Sequence, residues 1–190
     1  EYVRDRFQEL GLEDVTVETF KVTVPVDEGA TVTVGGGGET VPLYCLWPNQ
    51  VKPPSLPALG ITGPLVYGGK GRIEELQQPV GPPLGAAPAS GRAPDSPGAI
   101  VLLDFDCGMN YIEVRGLGAQ AIIFVDRAEA AGEADTSISA VTRGEAVDKF
   151  LPVPVDIPRY YAEGAAARRL YELARTGRET VTLHARMTWK

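Results

Sequence analysis

Two short, almost purely apolar runs constrain this chain more than anything else in it: AIVLLDF at 99–105 and AQAIIFV at 119–125. Neither alternates polar with apolar residues, so neither suits a strand with one wet face, and each predicts a strand covered on both sides. Between them lies a segment of the right length for one short helix. Tyr111, Val114 and Leu117 would face inward, and Asn110 with Glu113 three residues on has the pattern of a capping box. Strand, helix and second buried strand make a β-α-β unit with parallel strands.

The flanks add elements of other kinds. In residues 1–12, Val3, Phe7 and Leu10 recur at helical spacing, Arg4, Asp5, Arg6 and Glu9 cover the remainder, and Gly11 supplies the stop. DVTVETFKVTVPV alternates, with Val15 and Val17 in one phase and Phe20, Val22 and Val24 in the other; this predicts two strands meeting at a bulge near Glu18–Thr19. ATVTV and TVPLYCLW predict strands joined by a loose turn at Gly35–Gly38, and GPLVYGG predicts another strand. Residues 77–98 hold six prolines and four glycines and cannot donate a regular ladder, so they read as an irregular loop, as does the small-residue, acidic segment 128–149. FLPVPVDIP predicts a proline-flanked strand. YYAEGAAARRLYELARTG predicts a helix with Ala162, Ala166, Leu170 and Leu173 as its inner stripe and Arg175 near the negative end of its dipole. TVTLHARMTW closes as an alternating strand, with Val181, Leu183, Ala185, Met187 and Trp189 on one face.

Charge narrows the function classes. A formal net charge of −7 opposes nucleic acid as a partner, because phosphates need a basic face, and it opposes docking on anionic membrane. No apolar run is long enough to cross a bilayer. The chain opens directly into a helix with no secretory leader, so it reads as a mature or excised piece. Two cysteines, Cys45 and Cys107, permit one disulfide but do not require it. Cys45 shares the apolar face of its strand with Val41 and Leu43, as a buried inert thiol would.

Four features invite a chemical role, and each yields to a plainer reading. Cys107 as a nucleophile would need a base, and the single histidine, His184, sits on the polar face of an alternating strand. Asp104 and Asp106 beside the thiol would raise its pKa. The pair Asp104–Asp106 shares one strand face, yet hard cations need more oxygen ligands than two, which leaves a turn-forming, solvent-facing role. YGGKGR at 67–72 misses a phosphate loop at both ends: Pro64 stands where the first glycine belongs and Gly71 where the hydroxyl residue belongs. One histidine and two distant cysteines leave no protein ligand set for zinc. The expected catalytic, cofactor-binding and metal-binding residues of this chain are therefore none.

The order of the pieces resembles a protease-associated domain. GPLVYGGKGRIEEL, PGAIVLLDFDCG, a helix, GLGAQAIIFVD, FLPVPVDIP and AAARRLYELARTGRETVTLHARM follow its sequence of elements over residues 40–190. Gly98 to Val101, Gly118-Ala119 and Val153 to Pro158 fall at the matching positions. Residues 1–34 are similar to the opening helix and strand of di-zinc aminopeptidases of the glutamate carboxypeptidase and transferrin receptor type, in which such a domain is inserted. The resemblance implies a mixed α/β fold, a small sheet partly closed into a barrel-like sandwich with short flanking helices. It implies two parts: 1–34 belonging to the parent peptidase-like domain, and 40–190 as the module. It further implies an accessory role without catalysis, over the cleft of a zinc metallopeptidase, where it shapes substrate access or protein contacts. Expected partners are the remainder of the parent, its peptide or protein substrates, and a second copy through the N-terminal helix. Zinc is expected only in the parent domain, and the location is expected to be secreted, periplasmic or cell-surface. The alternative is a stand-alone binding or sorting module of a receptor-like protein.

Overall fold

A computed structural model describes residues 1–35, 38–46, 52–77, 98–131, 157–176 and 179–190. The elements are α1 (Tyr2–Glu9), β1 (Pro25–Val34), β2 (Thr40–Cys45), β3 (Ile61–Tyr67), α2 (Ile73–Gln77), β4 (Ile100–Asp104), α3 (Tyr111–Gly116), β5 (Ala121–Val125), α4 (Arg127–Ala130), β6 (Arg159–Ala162), α5 (Gly164–Thr176) and β7 (Thr180–Trp189). The strands close into a barrel in the order β1-β2-β6-β5-β4-β3-β7. β3, β4, β5 and β6 run parallel, while β2, β1 and β7 complete the ring with antiparallel ladders. The expected mixed α/β class holds, and the sheet closes on itself, with β2 and β6 joined through Tyr44–Tyr161 and Cys45–Tyr160.

Strand parity explains why β4 and β5 are apolar throughout. Ile100 and Leu102 of β4, Ala121, Ile123 and Val125 of β5, and Tyr160 and Ala162 of β6 point into the barrel, where Leu65, Val32, Leu43 and Leu183 join them. The helix α5 covers this group with Ala167, Leu170, Leu173 and Ala174. The alternate residues Val101, Leu103, Ile122, Phe124 and Tyr161 face outward into a second cluster, roofed by Tyr111 and Val114 of α3 and Leu76 of α2. Both faces are dry, so neither face can be polar.

At the opposite end of the parallel strands, the backbone approaches itself too closely for a side chain. A Cβ on Gly63 would lie 2.3 Å from the carbonyl oxygen of Gly98, and a Cβ on Gly98 would lie 2.3 Å from that of Gly118. Gln120 fastens the same place by donating from Nε2 to the Gly98 carbonyl at 3.0 Å. Two of the glycines behind the resemblance, Gly98 and Gly118, thus meet at one close contact.

Several expectations need correction. Residues 12–24 form no strand; the alternation is present, but among the described residues only Val24 finds a backbone partner across a ladder, exchanging hydrogen bonds with Lys190 at 2.8 and 3.0 Å. A strand needs a neighbour, and the closed ring offers none. RYYA at 159–162 is the strand β6, not the start of a helix, and α5 begins at Gly164; its buried stripe is Ala167, Leu170, Leu173 and Ala174, not Ala162 and Ala166. Arg127–Ala130 is the helix α4, where a loop was expected from 128. The remainder of that loop, most of 77–98 and residues 150–156 lie outside the described residues. Asn110 precedes α3 but makes no capping bond; its own backbone is already helical (φ −60°, ψ −21°), whereas a capping residue is extended. β1 runs to Val34, and its ladders go to β2 and β7.

Candidate functional site

The carboxyl ends of β3, β4 and β5 bring together most of the residues that the sequence singled out. β3 ends at Tyr67 and passes into the turn Gly68–Arg72. Gly69 and Gly71 adopt φ of 54° and 69° there, a region that glycine enters without strain. The amides that would cradle a phosphate are already spent: Gly71 N–H donates to the Gly68 carbonyl at 2.8 Å and Lys70 N–H to Glu75 Oε2 at 2.7 Å. Asn110 Nδ2 donates to the Lys70 carbonyl at 2.9 Å. Lys70 Nζ pairs with Asp106 Oδ2 at 2.8 Å across the surface, a contact of small energetic weight in water. The segment is a turn, as expected.

Asp104 is the exception to the expected solvent-facing role. It shares the inward parity of Ile100 and Leu102 and is 1% exposed. Its Oδ1 accepts a hydrogen bond from the Tyr67 hydroxyl at 2.6 Å, while Oδ2 has no hydrogen-bond partner among the described residues. Burial raises the carboxyl's pKa, and Asp106 adds to that; the Tyr67 hydrogen bond, Arg127 and Lys70 act the other way. Burial first, and Asp104 second, push the Tyr67 phenol well above its usual range, so it remains a donor. Asp106, the other member of the expected pair, is 69% exposed and faces Lys70. The two carboxylates diverge at the strand end.

Cys107 and His184 belong to different parts of the molecule. Cys107 is buried in the outer cluster with Tyr111 and Val114. His184 stands on β7 beside Gly60, whose missing side chain leaves room for the imidazole. It lines a groove of about 710 Å³ between β1, β7 and residues 55–58. Cys45 is half-buried; its N–H donates to Asp27 Oδ2 at 2.8 Å, and burial, then Asp27, push its thiol up. Both cysteines are free. Among the described residues no group of three or more His, Cys, Asp or Glu side chains could hold a metal ion.

A second surface lies at the amino end. α1 stops in a Schellman arrangement, with Gly11 N–H donating to the Gln8 carbonyl at 2.9 Å and Leu12 N–H to that of Phe7 at 3.1 Å. The expected stop at Gly11 holds. None of its residues is buried. Val3, Phe7 and Leu10 are 61%, 44% and 65% exposed, and Val17, Phe20 and Val22 in the segment that follows are exposed as well. Such a run of exposed apolar side chains marks a contact surface.

No family model matches the chain, and no curated protein matches it. Solved structures do. A zinc aminopeptidase from Bacillus subtilis superposes with a TM-score of 0.51 at 16% identity, over 99% of this chain and 38% of its own. An aminopeptidase from Aneurinibacillus sp. strain AM-1 gives 0.48 at 15% identity, over 100% of this chain and 38% of its own. The likeness is one of fold. This chain spans 38% of the length of those enzymes. Sequence reasoning missed the Tyr67–Asp104 pair and the strand β6; parity along IVLLD, continued one residue past Leu103, was the signal that could have turned Asp104 inward.

Proposed function

We propose that this chain is the non-catalytic protease-associated module of a larger zinc aminopeptidase-like protein. The module would comprise residues 40–190 together with β1, whose ladders close its barrel, and the segment before β1 would be the opening of the neighbouring peptidase-like domain. The observation that carries this reading is an exposed apolar helix and strand-patterned segment standing beside a barrel that is complete without them. That segment has the chemistry of an element made to pack on something else, and the fold likeness to part of a zinc aminopeptidase supports a peptidase-like body as its neighbour. The module would lie at the peptidase cleft and shape which peptide or protein substrates enter. Zinc would belong to the peptidase domain, and no step of hydrolysis runs through residues of this chain.

The direct test is to incubate the purified chain with zinc and aminoacyl-nitroanilide or peptide substrates. No turnover above buffer is expected, and robust metal-dependent turnover would overturn the assignment. The coding sequence adjoining this chain gives a second test. Paired histidines with a Glu-Glu pair support the peptidase reading, whereas a membrane span there replaces it with a receptor-like binding module.

A further inference from the structure

The Tyr67–Asp104 contact has no place in an accessory role and is not needed to turn the chain. It is a polar contact under α4 and α5, where the barrel is otherwise apolar. The Tyr67 ring stands edge-on to Tyr171 of α5, with centroids 4.9 Å apart, and the Arg175 guanidinium lies 5.5 Å from the Tyr171 ring centre. The charged groups that act on Asp104 come from three sides. Arg127 of α4 and Lys70 of the β3–α2 turn attract its anion, and Asp106 just past β4 repels it. Lys70 is already engaged with Asp106 at 2.8 Å. The end of β5 contributes Val125, which is apolar and buried.

An ionised carboxylate has about four acceptor positions, and here one hydroxyl serves them. A protonated carboxyl keeps the Tyr67 bond and avoids the cost of a charge in a dry site. We propose that Asp104 is a proton-operated latch at the carboxyl end of β3–β5, closed beneath α4 and α5 while the carboxyl is protonated, and loosened on ionisation as water or a cation is drawn to the buried Oδ2, against the hold of the Tyr67 hydroxyl on Oδ1, which is stronger to the anion. The sign follows from the raised carboxyl: its contribution is complete below the ordinary carboxylate range and is lost as pH rises through the value in the fold. The barrel end therefore tightens on acidification. This inference does not depend on the chain being part of a peptidase.

The experiment follows the full chain by NMR. The Asp104 carboxyl carbon is expected to titrate above the ordinary Asp range. Amides of Asp104, Phe105 and Ala130, bonded to Gly69, Val125 and Asp126 respectively, are expected to lose about tenfold in exchange protection as pH rises from the ordinary carboxylate range through the midpoint of the Asp104 titration, corrected for intrinsic exchange. The β1–β7 ladder should not change. Asp104→Asn should make that protection independent of pH, and Tyr67→Phe should move the midpoint upward. A carboxyl titrating at or below the ordinary Asp range overturns the proposal, as does an Asp104→Asn chain with the wild-type pH course. Should the variants not fold, the wild-type carboxyl titration decides alone.

Discussion

Gly98 and Gly116 are the same residue type placed under opposite constraints, and they make a matched experiment. A methyl group on Gly98 would meet the Gly118 carbonyl oxygen at 2.3 Å, and neither backbone can retreat without opening the β4–β5 ladder. Gly98→Ala should cost about 2–4 kcal/mol in urea unfolding, at the upper end for overpacking. A Cβ on Gly116, at the end of α3, would meet nothing within 4 Å. Gly116→Ala should therefore be neutral or stabilise by up to about 1 kcal/mol through helix propensity. At Asp104 the prediction concerns pH. The raised carboxyl means that ionisation opposes the fold, so Asp104→Asn should be more stable than wild type at neutral pH. The gain should vanish below the ordinary carboxylate range, which thermal melts across pH would measure. A gap that instead widens on acidification would show Asp104 to be a stabilising anion.

The elements differ in how much of their stability they take from the barrel. No residue of α1 is buried, and the ladder to Lys190 begins only at Val24. Deleting residues 1–23 should therefore leave the melting temperature nearly unchanged, while Ile123→Ala in β5 should cost about 2–5 kcal/mol, the range for a cavity in a packed core. Burial is also what made elements legible or not. β4, β5 and β7 announced themselves because their patterns follow from what covers each face. Residues 15–24 carry an equally clear alternation, yet a pattern records the face a residue would bury and not whether a neighbour is present. β6 was hidden for a different reason. RYYA is four residues long and runs into Glu163 and the alanine-rich α5, so helical periodicity swamped it. Of the candidate site, the glycine turn was legible from conformational preference alone. The Tyr67–Asp104 bond joins residues 37 positions apart and depends on the parallel register of β3 and β4, which local spacing does not encode.

For the molecule as a whole, the exposed apolar face beside a closed barrel predicts self-association when nothing else covers it. Sedimentation velocity should show mass rising with concentration, and removing residues 1–23 should abolish the rise; a chain monomeric throughout would count against that face as a contact surface. The barrel itself has its entry and exit side by side, since Val24 and Lys190 exchange hydrogen bonds in both directions. To any polypeptide joined at those two residues, the whole barrel is the geometric equivalent of a hairpin turn. Closing such a junction costs little chain entropy, because the folded barrel holds its own ends together. Residues 24–190 should consequently be transplantable into a surface turn of an unrelated carrier, with carrier and barrel each retaining their own melting transition. What travels in such a graft is a body with a single point of attachment, free to pivot about one rung of sheet.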